Sequence, residues 1–252
     1  MLTLIVLIPL LLCWGSFLNV VGHRIVKKKT LLGRSRCPHC KHTLAWYDLI
    51  PVLSYFQLKG NCRYCNAPIS WLYPAIELFT LLSFIAAYYL IDSTYHVAFF
   101  MFFSALLVTI RSDWEHMLIS QWVTIALIPV GILLSFTDLL PIYPLNSILG
   151  AAMGYAVPWL IGTLFYLATG KHGIGHGDFD LLAFVGSFTG VVGVWATLLI
   201  GSLLGTIIGG GYLYAIGSLK RNIKIPFGPF LAMGAIIYCL FMEQITEFLL
   251  GS

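Results

Sequence analysis

The sequence predicts an all-α polytopic membrane protein with about eight transmembrane helices and one small domain outside the bilayer. Of its 252 residues, 59% are hydrophobic and only 10% are charged, and the mean hydropathy is +0.90. Soluble globular proteins carry roughly a quarter charged residues. A chain this apolar cannot bury its hydrophobic surface as a water-soluble domain, so the composition indicates a membrane protein.

Eight apolar runs approach the roughly 20 residues that a helix needs to cross the hydrocarbon core of a bilayer. The sixth and seventh runs are separated only by Gly201 and Ser202, where we expect a short hairpin. The first run lacks the basic N-terminal region of a cleaved signal peptide, so we expect it to be retained as a helix. The runs are 2–21, 73–91, 96–110, 122–140, 148–168, 181–200, 203–219 and 230–250.

The lysine and arginine residues predict how these helices are oriented. Nine of the 14 lie between the first and second runs, and the others follow the third, fifth and seventh runs. With eight alternating spans, all of them fall on one face, which the positive-inside rule makes cytoplasmic. We therefore expect the N-terminus to lie outside and residues 23–72 to form a cytoplasmic domain between the first helix (1–22) and a seven-helix membrane domain (73–252).

The cytoplasmic domain contains two CxxC pairs separated by 21 residues, from Lys41 to Asn61. Four thiolates in this arrangement predict one tetrahedral zinc ion per chain, and a site closed by four sulfurs is structural rather than catalytic. Two disulfides are an alternative that a reducing cytoplasm disfavours, and no βαβ pattern accompanies a thioredoxin-like alternative. We expect His39 and His42 to be loop residues rather than ligands. The predicted zinc ligands are Cys37, Cys40, Cys62 and Cys65.

Two aspartates lie at the ends of predicted helices on the cytoplasmic face. Asp113 follows the third apolar run, and Asp178 precedes the sixth. Two carboxylates at matching depth can share one proton, so that one acts as general base on a water molecule and the other as general acid. Such a pair hydrolyses a peptide bond without a metal. The alternative for each residue is an ordinary charged loop residue or, for Asp178, a helix N-cap.

Gly173, Gly175 and Gly177 precede the second aspartate at alternate positions. Glycines allow an extended substrate backbone to approach closely, so we expect this loop to admit the substrate. The alternative is that the glycines only provide a tight turn into the helix. His172 and His176, with the aspartates that follow, form an alternative metal site. It is disfavoured because the glycines break the helix that would place both histidines on one face.

Several segments resemble one known family. GHGD (Gly175–Asp178) resembles the GxGD signature of intramembrane aspartyl proteases, and its continuation FDLLA is similar to the GDxKLLA stretch of bacterial type IV prepilin peptidases. Four other segments resemble that family in the same order along the chain. They are its first-span motif at 15–24, its cysteine loop at 35–65, the start of its second span at 73–78 and its first catalytic aspartate segment at 112–120.

The resemblance implies an activity. Prepilin peptidases remove the basic leader from type IV prepilins and type II secretion pseudopilins at the cytoplasmic face of the bacterial inner membrane. Many of them then methylate the new N-terminus with S-adenosylmethionine. By resemblance, Asp113 and Asp178 are the catalytic pair of a peptidase domain at 73–252. The expected partners are these protein substrates and the lipid bilayer, with no nucleic acid, and the sequence does not locate a site for S-adenosylmethionine.

Three positions depart from the family pattern without removing a carboxylate. Asp180 stands where Lys is common, Ser120 where Pro is usual, and Leu72 where an Arg often precedes Tyr-Pro. The change at Leu72, close to the cysteine domain, bears on substrate range and methylation. Two alternatives to a bifunctional enzyme remain. One is a peptidase alone, with the zinc domain as a docking platform, and the other is a non-enzymatic zinc-ribbon membrane scaffold or transporter.

Overall fold

The computed structural model describes residues 2–171, 173, 175–215 and 225–251, and within them the chain is helical with no β-strand. A π-helical segment, Gly205–Gly209, joins the seventh helix to the eighth, and short 3-10 turns lie at Trp46–Leu49 and Ser93–Tyr95. The α-helices are α1 (Leu2–Ile25), α2 (Leu53–Gln57), α3 (Leu72–Leu90), α4 (His96–His116), α5 (Gln121–Ser135), α6 (Pro144–Thr169), α7 (His176–Leu204), α8 (Gly210–Ala215), α9 (Gly228–Leu240) and α10 (Met242–Leu250).

The prediction of an all-α membrane fold is confirmed. Five helical stretches of the described chain are long and apolar enough to cross a bilayer, counting His176–Tyr214 as one of them. Helices α9 and α10, which meet at an angle of 94°, make a sixth if the pair is one span. Helix α5 is apolar but has only 15 residues. Each of the eight predicted apolar runs is helical over most of its described length, but the sixth run and the start of the seventh both belong to α7.

The expected hairpin at Gly201–Ser202 is wrong, because both residues are helical within α7. The chain bends at Gly190 instead, where φ is 72° and ψ is −171°. A Cβ atom built on Gly186 would lie 2.8 Å from Cγ2 of Val194. Residues eight apart in a continuous helix are separated by about 12 Å, so α7 turns back on itself at Gly190.

The bend has a physical cause in the backbone conformation of Gly190, which only glycine adopts readily. The second half of α7 then needs a cap for its first backbone N–H groups. The side chain of Asn146, near the start of α6, supplies one, since its Oδ1 accepts a 3.1 Å hydrogen bond from the N–H of Val191. Apolar composition alone did not distinguish Gly190 from the other glycines of this region.

The chain forms two compact units, Met1–Ala86 and Ala87–Ser252. In the first, a Cβ atom on Gly15 of α1 would lie 3.0 Å from Cα of Glu77 in α3, so the two helices pack closely. The side chain of Asn19 donates a 3.1 Å hydrogen bond to the carbonyl of Tyr73. These contacts join the two helices that flank the cysteine loop.

The second unit packs around a group of phenylalanines. Phe102 of α4 stacks on Phe188 of α7 with ring centroids 4.8 Å apart, and Phe184 lies 5.0 Å from Phe102. Helix α6 packs along α7 through Ser147, whose hydroxyl donates a 2.6 Å hydrogen bond to the carbonyl of Ser187. This core fixes α4, α6 and α7 relative to one another and thereby places the ends of α4 and α7.

Candidate functional site

Asp113 and Asp178 lie at the same end of α4 and α7. Starting from the stacked pair of Phe102 and Phe188, Asp113 lies about three turns along α4, roughly 16 Å, and Asp178 lies roughly 15 Å back along α7. Ile119 links the two helix ends, since a Cβ atom on Gly177, beside Asp178, would lie 3.0 Å from its Cβ, and one on Gly228, which binds Asp113, would lie 2.9 Å from its Cδ1. The two helices therefore run antiparallel, and the structure brings the two predicted carboxylates together at one level.

The Asp113 carboxylate is almost fully buried, with 6% of its residue surface exposed. Its Oδ2 accepts a 3.1 Å hydrogen bond from the backbone N–H of Gly228, the first residue of α9. The N-terminus of a helix carries a partial positive charge and free N–H groups, which stabilise an anion. The N-terminus of helix α9 therefore binds the Asp113 carboxylate through a backbone N–H group.

Gly228 is a site residue that the sequence analysis missed. A Cβ atom there would lie 2.7 Å from Oδ2 of Asp113 and 2.9 Å from Cδ1 of Ile119, so only glycine fits without displacement. The signal in the sequence is the stretch PFGPF (226–230), in which a glycine before a proline opens an apolar helix. Proline is favoured in the first turn of a helix, which makes this stretch a helix start.

Asp178 lies in the first turn of α7 and is partly buried. The N-cap of this helix is Gly175, which accepts a 3.1 Å hydrogen bond from the N–H of Asp178 at its carbonyl. The alternative that Asp178 is the N-cap of this helix is therefore wrong. An acidic side chain in the first turn still interacts favourably with the helix dipole.

The three predicted loop glycines differ in their surroundings. A Cβ atom on Gly173 would lie 2.9 Å from the ring of Phe165, and one on Gly177 would lie 3.0 Å from Cβ of Ile119. At Gly175 the nearest atom is Oδ2 of Asp178 at 3.4 Å, an ordinary contact. Packing therefore explains the absence of a side chain at Gly173 and Gly177, whereas Gly175 is exposed and has room for one.

The alternative histidine metal site gains no support. His172 lies outside the described residues. His176 is exposed and has its ring centroid 5.6 Å from that of Phe179. Among the described residues, no group of His, Cys, Asp or Glu able to hold a metal includes His176.

The four predicted metal ligands of the first unit come together. The sulfur atoms of Cys37, Cys40, Cys62 and Cys65 all lie within 4.8 Å of one another, and none of the six cysteines of the chain, all of them described, forms a disulfide. Four sulfurs at this separation fit the tetrahedral coordination of a thiophilic metal ion. The disulfide alternative is therefore not seen.

The two cysteine pairs form matching turns. The residue after each second cysteine, Lys41 or Asn66, has a positive φ, 61° and 58°. In each turn the backbone N–H of the first cysteine, Cys37 or Cys62, donates to a carbonyl five residues on, at 3.0 and 2.8 Å. Each turn therefore presents its two sulfurs in the same way.

Hydrogen bonding favours the thiolate form of Cys37, whereas the pKa of the Cys65 thiol is raised to about 11. Burial raises the pKa of the Cys37 thiol, but hydrogen bonds from the backbone N–H groups of Cys40 and His39 outweigh burial and lower the pKa to about 6. A thiol with a lowered pKa loses its proton more easily, so it binds a metal ion at a smaller cost in free energy.

Side chains around Asp48 hold the two turns together. Nε of Arg63, between the cysteines of the second pair, lies 2.7 Å from Oδ1 of Asp48, and the hydroxyl of Tyr64 donates to Oδ2 at 3.2 Å. The ring of His42, after the first pair, lies 3.8 Å from that of Tyr64. His42 is thus a packing residue of the loop and not one of the clustered ligands.

Comparison with known proteins agrees with this arrangement. Residues 10–91 match the bacterial Peptidase A24 N-terminal domain, and residues 99–210 match the type IV leader peptidase family. The first match covers the four cysteines and the second covers both aspartates. No solved structure matches the chain.

Curated relatives match nearly the whole chain. A protein of Aeromonas salmonicida named prepilin leader peptidase/N-methyltransferase is 35% identical over 94% of this chain and 90% of its own length. Proteins of the same name from Pseudomonas aeruginosa and Dichelobacter nodosus are 33% and 36% identical, over 92% and 86% of this chain and 88% and 74% of their own lengths. The resemblance noted in the sequence is confirmed, and the chain belongs to the type IV leader peptidase family.

Proposed function

We propose that this chain is a membrane aspartyl endopeptidase that removes the basic leader from type IV prepilins or pseudopilins and then methylates the new N-terminal residue. The observation that carries the proposal is the placement of Asp113 and Asp178 at one level, with Asp113 held by the N–H of Gly228. Membership of the family and the names of its relatives support the substrate and the second activity.

The proposed peptidase step uses the two carboxylates as an acid and a base. One carboxylate takes a proton from a water molecule, which attacks the scissile carbonyl, while the other donates a proton as the bond to the leaving amine breaks. Two interacting carboxylates favour a state in which a single proton is present. Asp113 at the start of α9 and Asp178 in the first turn of α7 both lie at a helix N-terminus, which stabilises negative charge, so either of them can act as the base.

The cysteine cluster fits one zinc ion, held by Cys37, Cys40, Cys62 and Cys65. Such an ion would stabilise the small loop domain and leave no open coordination position for catalysis. S-adenosylmethionine would supply the methyl group for the second activity. The chain has no glycine-rich nucleotide motif that opens a helix, so we assign this cofactor no residues.

We further propose that cleavage takes place on the cytoplasmic side of the bacterial inner membrane. The basic residues of the sequence favour that face for the loop domain and for both aspartates. A basic leader followed by an apolar helix would be held with its cleavage site at the inner interface. We also propose that the chain divides into a first helix, a zinc domain at 23–72 and a peptidase domain at 73–252.

The test is to co-express the chain with a prepilin and measure the mass of the product. Loss of the leader together with a mass increase of one methyl group supports both activities. Loss of the leader alone would leave a peptidase whose zinc domain serves as a docking platform. An unprocessed prepilin, with the chain present in the membrane, would contradict the proposal and favour a non-enzymatic scaffold.

A further inference from the structure

The loop between α4 and α5, residues 117–120, connects the two proposed catalytic regions. It begins at Met117, whose backbone N–H donates a 2.8 Å hydrogen bond to the carbonyl of Asp113. Met117 adopts a left-handed conformation with φ at 52° and ends α4 there. The start of this α4–α5 loop is therefore fixed directly to the backbone of one proposed catalytic residue.

The middle of the loop lies between the two catalytic regions. A Cβ atom on Gly177, the residue before Asp178, would lie 3.0 Å from Cβ of Ile119, and one on Gly228 would lie 2.9 Å from its Cδ1. Ile119 thus contacts both the turn that carries Asp178 and the helix end that holds Asp113. A displacement of Ile119 would change the spacing of the two carboxylates.

The far end of the loop is attached to the other catalytic region. Gln121 begins α5, and its Nε2 donates a 2.9 Å hydrogen bond to Oδ2 of Asp180 in the first turns of α7. Asp180 is 7% exposed and stands two residues after Asp178. A carboxylate buried within a membrane helix is costly unless it is hydrogen-bonded, so this contact is strongly favoured.

We propose that the hydrogen bond between Gln121 and Asp180 positions the α4–α5 loop and thereby sets the spacing of Asp113 and Asp178. Gln121 and Asp180 are positioning residues that act through Ile119 and have no contact with the substrate. The inference rests on the proposed peptidase function. It assigns a role to an aspartate that the catalytic step itself does not use.

The experiment exchanges the donor and the acceptor of this hydrogen bond. Gln121→Glu keeps the size of the side chain but replaces the amide donor by a carboxyl group. At a pH where this group and Asp180 are both ionised, they repel each other and the bond is lost. Because loss of geometry affects the chemical step, we expect kcat to fall about tenfold or more while KM is unchanged. In the double variant Gln121→Glu with Asp180→Asn, the asparagine amide donates to the new carboxylate, and we expect kcat to return to near the wild-type value.

A control substitution elsewhere on α5 and a second substitution at Gln121 complete the experiment. Ile125→Ala shortens another exposed side chain on the same helix and should leave kcat unchanged. Gln121→Ala leaves the buried Asp180 without this donor, so it should melt at a lower temperature than the wild type and also lower kcat. Wild-type kcat in Gln121→Glu, or a double variant no faster than Gln121→Glu, would overturn the inference. A wild-type chain that cleaves no prepilin would instead overturn the proposed function.

Discussion

The backbone N–H of Gly228 donates a 3.1 Å hydrogen bond to Oδ2 of Asp113, although the two residues are 115 positions apart in the chain. The approach is possible because Gly228 has no side chain, since a Cβ atom would lie 2.7 Å from that oxygen. One proposed catalytic carboxylate is therefore held by the end of α9, while the other is carried by the first turn of α7. Relative motion of these two helix ends would separate the pair.

Gly228→Ala tests the importance of this contact. The added methyl group has to displace either Asp113 or Ile119, which lies 2.9 Å from the Cβ position. We expect kcat for prepilin cleavage to fall about tenfold to a hundredfold, because small displacements of catalytic groups cost that much. Gly210→Ala is the matched control, since no atom beyond its chain neighbours and its own helix backbone lies within 4 Å of its Cβ position. Equal activity of the two variants would remove Gly228 from the site.

The glycine loop yields a prediction that separates substrate approach from packing. Gly175→Ala fits without a close contact, since the nearest atom is 3.4 Å away. If the substrate passes over this exposed position, Gly175→Ala raises KM in a protein that melts normally. Gly177→Val should impair cleavage through its contact with Ile119, 3.0 Å from the Cβ position. A folded Gly177→Val protein with the wild-type cleavage rate would rule out both a packing and an approach role there.

The cysteine cluster predicts the metal content of the chain. We expect about one zinc ion per chain by elemental analysis. Replacing Cys37 or Cys62 by Ser should release the ion and make the loop at 23–72 sensitive to added protease, because metal binding supplies folding free energy to a domain this small. Replacing Cys13, which lies outside the cluster, is the control. A metal-free preparation with an intact, protease-resistant loop would contradict the zinc proposal.

The bend in α7 predicts a difference in stability. Gly190→Ala places a Cβ atom 2.5 Å from Nδ2 of Asn146 and forces alanine into a positive φ of 72°, so we expect a loss of about 1–3 kcal/mol. Asn146→Ala removes only the cap of Val191 and should cost about 1 kcal/mol. Thermal melting in detergent gives the order of the two variants. A Gly190→Ala protein as stable as the wild type would show that the bend is not required.

Much of this architecture could be predicted because its causes are local in the chain. Apolar runs predict the membrane helices, and the spacing of the CxxC pairs predicts the cluster of four sulfur atoms. The ends of the apolar runs also predict that Asp113 and Asp178 lie near helix ends. Each of these predictions needs only neighbouring residues and the thickness of a bilayer.

The remainder depends on contacts between residues that are distant in the chain. Nothing in the sequence indicates that Gly228 contacts Asp113, because that contact forms only when α9 packs against α4. The sequence does not show whether the chain bends at Gly190 or at Gly201. The position of the bend depends on the backbone conformation of Gly190 and on the hydrogen bond from Val191 to Asn146 of another helix. The sequence marks Asp180 as a departure from a motif and as a member of the alternative histidine metal site, whereas its partner Gln121 lies on α5.

The most direct test of the account measures prepilin cleavage by purified wild type, Asp113→Asn, Asp178→Asn and the double variant. Asparagine keeps the shape of aspartate but does not exchange the proton. We expect each single variant to lose roughly a thousandfold or more in kcat, and the double variant to be little worse, because the two residues act as a unit. Asp92→Asn, at an exposed aspartate that caps a short turn, should cleave at the wild-type rate. Appreciable turnover by either single variant in a folded protein would contradict the paired-carboxylate mechanism.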